Sequence, residues 1–408
     1  MPRHLTLALL GALLCTTARA ADTTPLDSWP EWVQEAMQVE ARRLKFRAVE
    51  TPDDSLRSKL PGKTARPTAI EEGWYFVSDI KAESPLECYL FTSSRDLAAL
   101  TSAIAEANIE ALGQQGSIDN RQIYYADGGE VAGMPYLAIE WLYTVQTDAQ
   151  MMVGFTKVRA ASKGEKAFVC AHNYLGYRDS FARAFAEFVA NAEVVDDTPA
   201  PFYEEIVRID MNAPGASVSY VSYTIDEDGD LRAYLAEASI TAVDAATVTT
   251  SDAYTITYSL PGGELINAYS ITAENEEVTA NLSLSRNDDG DWVSSGTLQG
   301  KELTYTIDGA QEPSSEWQQL AMARELFAGE DEVVNALVWL PTLDPTRFME
   351  TSLTRDDADV ERQGVMTLGP LTYTGRFDAS GNLTDADVAI GPVTLHIERI
   401  WSQGSLLQ

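Results

Sequence analysis

Two periodicities divide this chain. Up to about position 197, helical apolar spacing alternates with short strand-like runs; beyond about 206, almost every apolar run alternates at every second position. Three helices are predicted in the first region. Pro30 to Phe46 carries Trp32, Val33, Ala36, Met37, Ala41 and Leu44 on one face, with Pro30 in its first turn. Its basic end, from Arg42 to Arg47, complements the helix dipole. Arg95 to Leu112 aligns Leu97, Leu100, Ile104 and Ala107, and Arg178 to Val194 aligns Phe181, Ala184, Phe185, Phe188 and Val189. Strands are predicted over Gly73 to Ile80, Glu87 to Phe91, Arg121 to Ala126, Tyr136 to Thr147, Met151 to Ala160 and Ala167 to Tyr174. Asp127-Gly-Gly and Ser162-Lys-Gly read as turns, and Thr51 to Pro67 as a surface loop. The pattern predicts an α+β unit: an antiparallel sheet with helices packed mainly on one face.

The second region predicts a mainly β unit. Short strands begin near Ile206, Ser217, Asp230, Ile240, Ala246, Ala253, Leu265, Glu277, Trp292 and Lys301, and resume from Phe348 to Trp401. A helical insertion near 314–340 interrupts them. Ser315 can cap it with Gln318 three residues on, and Trp317, Leu320, Ala323, Leu326 and Phe327 form its stripe. Glu332 to Leu340 reads as a second short helix or as a strand. So many alternating strands require a highly curved sheet, a partly open barrel or a sandwich.

Composition adds the domain division and the compartment. Arg3, the apolar run Leu5 to Leu14 and Ala18-Arg19-Ala20 match a signal peptide over 1–20, cleaved before Ala21. The run is too short to span a bilayer, and Leu14 is too large to precede a lipidated Cys15. The expected divisions are an α+β domain over 21–197, a linker over 198–205 containing Pro199 and Pro201, and an acidic β domain over 206–408. The product is expected to be exported, periplasmic or extracellular, and soluble after cleavage. The formal charge is −33, and from position 201 onward 35 acidic residues face 10 basic ones. Such a field disfavours nucleic acid and anionic surfaces and suits solubility or a cationic partner.

Candidate chemistry is sparse. Cys88 and Cys170 are the only cysteines beyond position 20, and in an exported chain they are expected to form a disulfide with Cα atoms about 5 to 6 Å apart. A Cys170–His172 nucleophilic pair is disfavoured. Residues at i and i+2 on a strand share a face but lie about 6.5 Å apart, and an oxidised Cys170 offers no thiolate. Asp226-Glu-Asp-Gly-Asp, Asn287-Asp-Asp-Gly-Asp and Asp378-Ala-Ser-Gly-Asn are hairpin turns by composition. The first two also resemble fragments of calcium loops without the terminal glutamate, which leaves weak calcium binding open. His172 and His396 read as packing or surface residues. No zinc, phosphate-loop or nucleophile-elbow motif is present, and no residue is assigned a catalytic role.

A curved sheet with a helical cover resembles, in coarse architecture, periplasmic carriers of lipids and lipoproteins. The leading expectation is a non-enzymatic cell-envelope binding or assembly protein that takes an apolar ligand or an envelope protein partner. Trp317, Leu320 and Phe327 on the helical cover are its candidate ligand-facing residues. The alternatives are a cell-envelope hydrolase with a carboxylate site and a secreted structural protein without a ligand. A continuous apolar cavity beneath the helix argues for carriage; two converging carboxylates in a separate cleft argue for hydrolysis.

Overall fold

The computed structural model describes residues 31–406, except 32–33, 36–38, 41, 43, 81–83, 94–95, 115, 149, 165, 174–177, 195–199, 212–214, 357–360, 370 and 391–392. The expected signal peptide, most of the first helix stripe and part of the expected linker lie outside the described residues. Helical turns recur between 31 and 42, and Phe46 already belongs to a strand.

The chain opens with β1 (Phe46–Glu50) and β2 (Leu56–Pro61). The surface loop expected over Thr51 to Pro67 is therefore corrected. Its apolar residues Leu56 and Leu60 are fully buried, and alternation within the charged run hides them from a reading by composition. A second sheet follows, from β3 (Lys63–Thr64), β4 (Thr68–Ile70), β5 (Gly73–Asp79), β6 (Leu86–Phe91), β7 (Ser117–Val131), β8 (Met134–Gln146), β9 (Met151–Lys163) and β10 (Lys166–His172). Helix α1 (Leu97–Gly113) lies between β6 and β7, and α2 (Arg178–Ala190) follows β10. The short β11 (Glu193–Val194) returns to pair with β2. The second sheet runs β3-β5-β6-β10-β9-β8-β7, with β4 beside β5. Asp127-Gly-Gly is strand rather than turn. The β7–β8 reversal falls at Ala132 and Gly133, both at positive φ, because Asp127 is occupied within the sheet by the hydroxyls of Tyr125 and Tyr136.

Helices cover both faces of this sheet, which corrects the one-sided expectation. On β10, Val169 and Ala171 join the core under α1, whereas Phe168 and Cys170 join the core under α2 with Phe181, Phe185 and Phe188. The apolar run in β10 is the sequence signature of a strand buried on both sides.

Fourteen described strands make the third sheet. The first eight are β12 (Tyr203–Met211), β13 (Gly215–Ile225), β14 (Leu231–Ala242), β15 (Val248–Ser259), β16 (Leu265–Glu274), β17 (Glu277–Arg286), β18 (Trp292–Leu298) and β19 (Lys301–Ile307). Helix α3 (Glu316–Ala328) comes next. The last six are β20 (Val333–Val338), β21 (Met349–Arg355), β22 (Gln363–Leu368), β23 (Leu371–Phe377), β24 (Leu383–Ile390) and β25 (Val393–Gly404). The order runs β19 back to β12, then β25 back to β20, antiparallel throughout. The sheet is curved but not closed into a barrel. The pairs of short strands expected over 230–250 merge into the longer β14 and β15. The helical insertion is confined to α3: 333–338 is the edge strand β20, whose β-branched Val333 and Val334 face Thr354 and Leu353 of β21.

Curvature follows from what α3 touches. Leu320 and Trp317 pack with Tyr223 of β13 and Leu235 of β14, while Leu326 and Phe327 pack with Leu353, Met366 and Phe377 at the other end of the sheet order. Flat, strands β14 and β20 would be roughly 38 Å apart at ~4.8 Å per strand. A helix of this length reaches about 20 Å, so the sheet must curl around it. Ser315 caps α3, accepting from the Gln318 N–H at 3.2 Å and donating to the Gly263 carbonyl at 2.6 Å. Arg355 donates to the carbonyls of Leu326 and Gly329 at the other end. The helix is therefore tied to both halves of the sheet.

The two regions share a core. Leu97, Ala105, Trp141 and Val158 lie in one apolar cluster with Ile206, Val218, Tyr220 and Ile240. Asp252 of β15 reaches the start of α1, where its two oxygens accept the N–H groups of Ala98 and Ala99 at 2.9 Å each. This is an N-terminal cap supplied by the other region. Burial pushes the Asp252 carboxyl up to about 7 against the pull of those two bonds.

Candidate functional site

A cavity of about 1020 Å³, a volume that includes open solvent at its mouth, lies between α3 and the concave face of the third sheet. Its wall is mainly apolar: Val207 and Ile209 from β12, Leu320 and Ala323 from α3, and Leu353 and Met366 from the far strands. Alternation places them. On β12, Tyr203, Glu205, Val207 and Ile209 turn toward α3, whereas Ile206 turns into the shared core.

Polar groups gather on part of that wall. Glu205, Tyr223, Glu316, Gln319 and Asn382 all line it, and among the described residues no Lys, Arg or His does. Glu205 is held by a buried network. The Tyr203 hydroxyl donates to its Oε2 at 2.8 Å, Asn382 Nδ2 donates to the same oxygen, and Arg399 Nη1 stands 3.7 Å from it. Arg399 also pairs with Asp378 at 2.6 Å. Burial raises the Glu205 carboxyl above its usual range, opposed by Tyr203, Arg399 and Asn382. Across the cavity, Glu316 is buried and accepts from Thr257 Oγ1. The Tyr223 hydroxyl is pushed well up, first by burial and then by both Glu205 and Glu316, so one phenol feels both carboxylates.

Of the expected ligand-facing residues, Leu320 lines the cavity. Trp317 instead packs edge-on against Phe202 and Tyr223 at 5.9 and 6.1 Å. Phe327 packs at a tilt against Phe377, with ring centroids 5.2 Å apart. These two anchor α3 to the sheet on either side of the space. Glu205, Glu316 and Gln319 escaped the sequence reading. The available signal was a carboxylate in an apolar stripe: Glu205 interrupts Tyr203, Val207 and Ile209, and Glu316 precedes Leu320 and Ala323 at helical spacing.

Cys88 and Cys170 form the disulfide, directly opposite each other on β6 and β10, with Cα atoms 4.1 Å apart. The separation is shorter than the expected 5 to 6 Å because the two face each other across adjacent strands. His172 is buried, stacked on Phe181, with Nε2 3.3 Å from the Ser84 carbonyl. It ends a row across three strands, Glu140, Lys157 and His172. Arg178 closes on Glu140 with two bonds of 2.8 and 3.0 Å and stacks on Tyr125. Burial lowers Lys157 to about 8 and His172 to about 4. His396 is half-exposed and bonds Asp387 at 2.8 Å.

The three acidic turns share one geometry. Asp226, Asn287 and Asp378 each accept, through Oδ1, the N–H groups two and four residues on. Gly229, Gly290 and Gly381 sit at φ of 89°, 88° and 81°. Among the described residues no group of three or more His, Cys, Asp or Glu is arranged to hold a metal ion. Among them, too, no helix is long and apolar enough to cross a membrane.

No protein-family model matches the chain, and no curated protein does. Three solved structures are similar to parts of it. A β-barrel-like protein of domain of unknown function DUF1849 from Brucella abortus is 11% identical over 49% of this chain and 96% of its own, with a TM-score of 0.36. A DUF1089 family protein from Pseudomonas aeruginosa is 17% identical over 41% and 88%, with a TM-score of 0.27. Cyanobacterial PsbP (CyanoP) from Synechocystis is 10% identical over 37% and 94%, with a TM-score of 0.26.

Proposed function

We propose that this is an exported, non-enzymatic cell-envelope protein that binds an apolar ligand between α3 and the curved sheet. The observation that carries the reading is the cavity itself, a hollow under a helix walled mainly by aliphatic side chains. A helix pinned at both ends over a hollow sheet supports binding, since a purely structural insertion would be expected to fill its seat. The signal-like 1–20 segment and the acidic composition support export to the periplasm or beyond.

Native mass spectrometry of the protein after gentle purification tests this directly. The expected result is a retained apolar molecule, or uptake of an added alkyl probe, and loss of both in Ala336→Trp. Ala336 is half-buried on the edge strand β20 and lines the cavity, so its enlargement fills the space without opening the core. Protein that carries and takes up nothing, or an Ala336→Trp variant that binds like the parent, overturns the reading.

One observation favours a second reading. Glu205 and Glu316 line the same cavity, and Glu205 holds its proton more tightly than usual, as a general acid does. Acid–base hydrolysis of a bound amphiphile then requires turnover of an ester or glycoside probe that Glu205→Gln and Glu316→Gln each abolish; no turnover removes it.

A further inference from the structure

The polar part of the cavity has a sign. The three bonds and contacts that Glu205 receives from Tyr203, Asn382 and Arg399 all fall on Oε2, and no described donor reaches Oε1. Gln319 spends its Nε2 on the carbonyls of Ser314 and Ser315 at 3.3 and 3.2 Å. Its Oε1 is buried without a hydrogen-bond partner among the described residues. With Glu316 beside them, acceptor-bearing residues from β12 and from α3 line one space, and among the described residues no cation lines it. A buried acceptor left unmatched costs about 1–3 kcal/mol, and a donor placed there recovers it. A carboxylate placed there meets the acidic side chains of Glu205 and Glu316, with no cation among the described lining residues to neutralise it.

Resting on the cavity reading above, we propose that the occupant is a single-chain amphiphile whose head donates hydrogen bonds, an alcohol or an amine, and that the site rejects a carboxylate head on the same chain. The aliphatic wall takes the tail; Glu205 Oε1, Gln319 Oε1 and Glu316 take the head. Selectivity arises from the unmatched Gln319 Oε1 and from the open side of Glu205 more than from area, since the tail contributes equally to all three classes.

The test compares 1-decanol, decylamine and decanoate by calorimetric titration of the purified protein. A salt concentration of about 0.5 M screens the net charge of the surface, where the Debye length falls to a few ångströms. The alcohol and the amine are expected to bind at least tenfold more tightly than decanoate, a difference of about 1.4 kcal/mol. Gln319→Leu is expected to bring the alcohol within threefold of decanoate, and Glu205→Gln to strengthen decanoate alone. Because Glu205→Gln perturbs the Tyr203–Arg399 network, Gln319→Leu, on the cavity side of α3, keeps the test decisive if that variant fails to fold. Decanoate binding as tightly as decanol, or unchanged selectivity in Gln319→Leu, overturns the proposal and leaves apolar binding standing. Absence of binding by all three overturns both.

Discussion

Strands β10 and β12 each carry an ionisable side chain on an apolar face, and the two regions treat it differently. On β10, His172 is packed against Phe181 within a sheet covered by α1 on one side and α2 on the other. On β12, Glu205 is satisfied through one oxygen and borders an open space under α3. In the first region the helices pack directly onto the two faces of the sheet around β10, with Val169 and Ala171 in one core and Phe168 and Cys170 in the other. In the second region one helix serves a sheet too wide for it, and the excess concavity remains as a cavity. A polar group in a filled layer is a packing problem already solved, whereas one beside a void can contribute to recognition.

The largest expected effect breaks the comparison most directly. Phe188, fully buried on the sheet-facing side of α2 against Phe76 and Phe168, should cost about 3–5 kcal/mol on truncation to Ala. Leu320→Ala should cost only about 2 kcal/mol, the low end for such a change, because Leu320 already borders a void. Urea unfolding of the two variants checks this. Equal losses would mean that the α3 layer is packed as tightly as the α2 layer.

Acidification sharpens the contrast. His172 has its pKa lowered from 6.5 to about 4 by burial and then by Lys157, so it stays neutral in the fold while the unfolded chain takes up a proton. Its contribution is complete above pH 6.5 and is lost as pH falls toward 4, about 3 kcal/mol in all. Asp252 runs the other way. Its pKa is raised from 3.8 to about 7, so its contribution is complete below pH 3.8 and is lost as pH rises through 7. His172→Gln should flatten the acid loss of stability, and Asp252→Asn should remove the opposing gain. Denaturant midpoints between pH 7.5 and 4.5 read both. A His172→Gln profile parallel to the parent would mean that the imidazole titrates freely.

Much of this arrangement was readable from residue spacing. The disulfide, α2, the capping of α3 by Ser315 and the antiparallel β region all follow from local rules about alternation, cysteine count and turn chemistry. Two things did not follow. Burial of the N-terminal sheet on both faces depends on the large sheet packing against α1, and Asp252, more than a hundred residues away in sequence, supplies the α1 cap. The cavity depends on the width of a fourteen-strand sheet relative to one helix, a global mismatch with no local signature. Only the misplaced polarity of Glu205 and Glu316 within apolar stripes recorded the site, and one carboxylate per stripe is easily taken for an ordinary surface position.

The smallest effects test whether the third acidic turn belongs to the site or merely repeats its siblings. Gly229, Gly290 and Gly381 occupy equivalent places in equivalent turns, all at positive φ. A Cβ at Gly290 would meet nothing within 4 Å, whereas one at Gly381 would run into the Leu320 carbonyl and the Arg324 N–H of α3. Gly290→Ala should therefore cost only the left-handed backbone penalty, about 1 kcal/mol. Gly381→Ala carries the same penalty plus a displacement of α3 or of the turn, about 2 kcal/mol in total. Since Gly381 and Asn382 line the cavity, its main consequence should be weaker uptake of an alkyl probe, with Gly290→Ala binding like the parent. Matching losses of stability with unchanged binding in both variants would detach the 378–382 turn from the site and leave α3 alone as its cover.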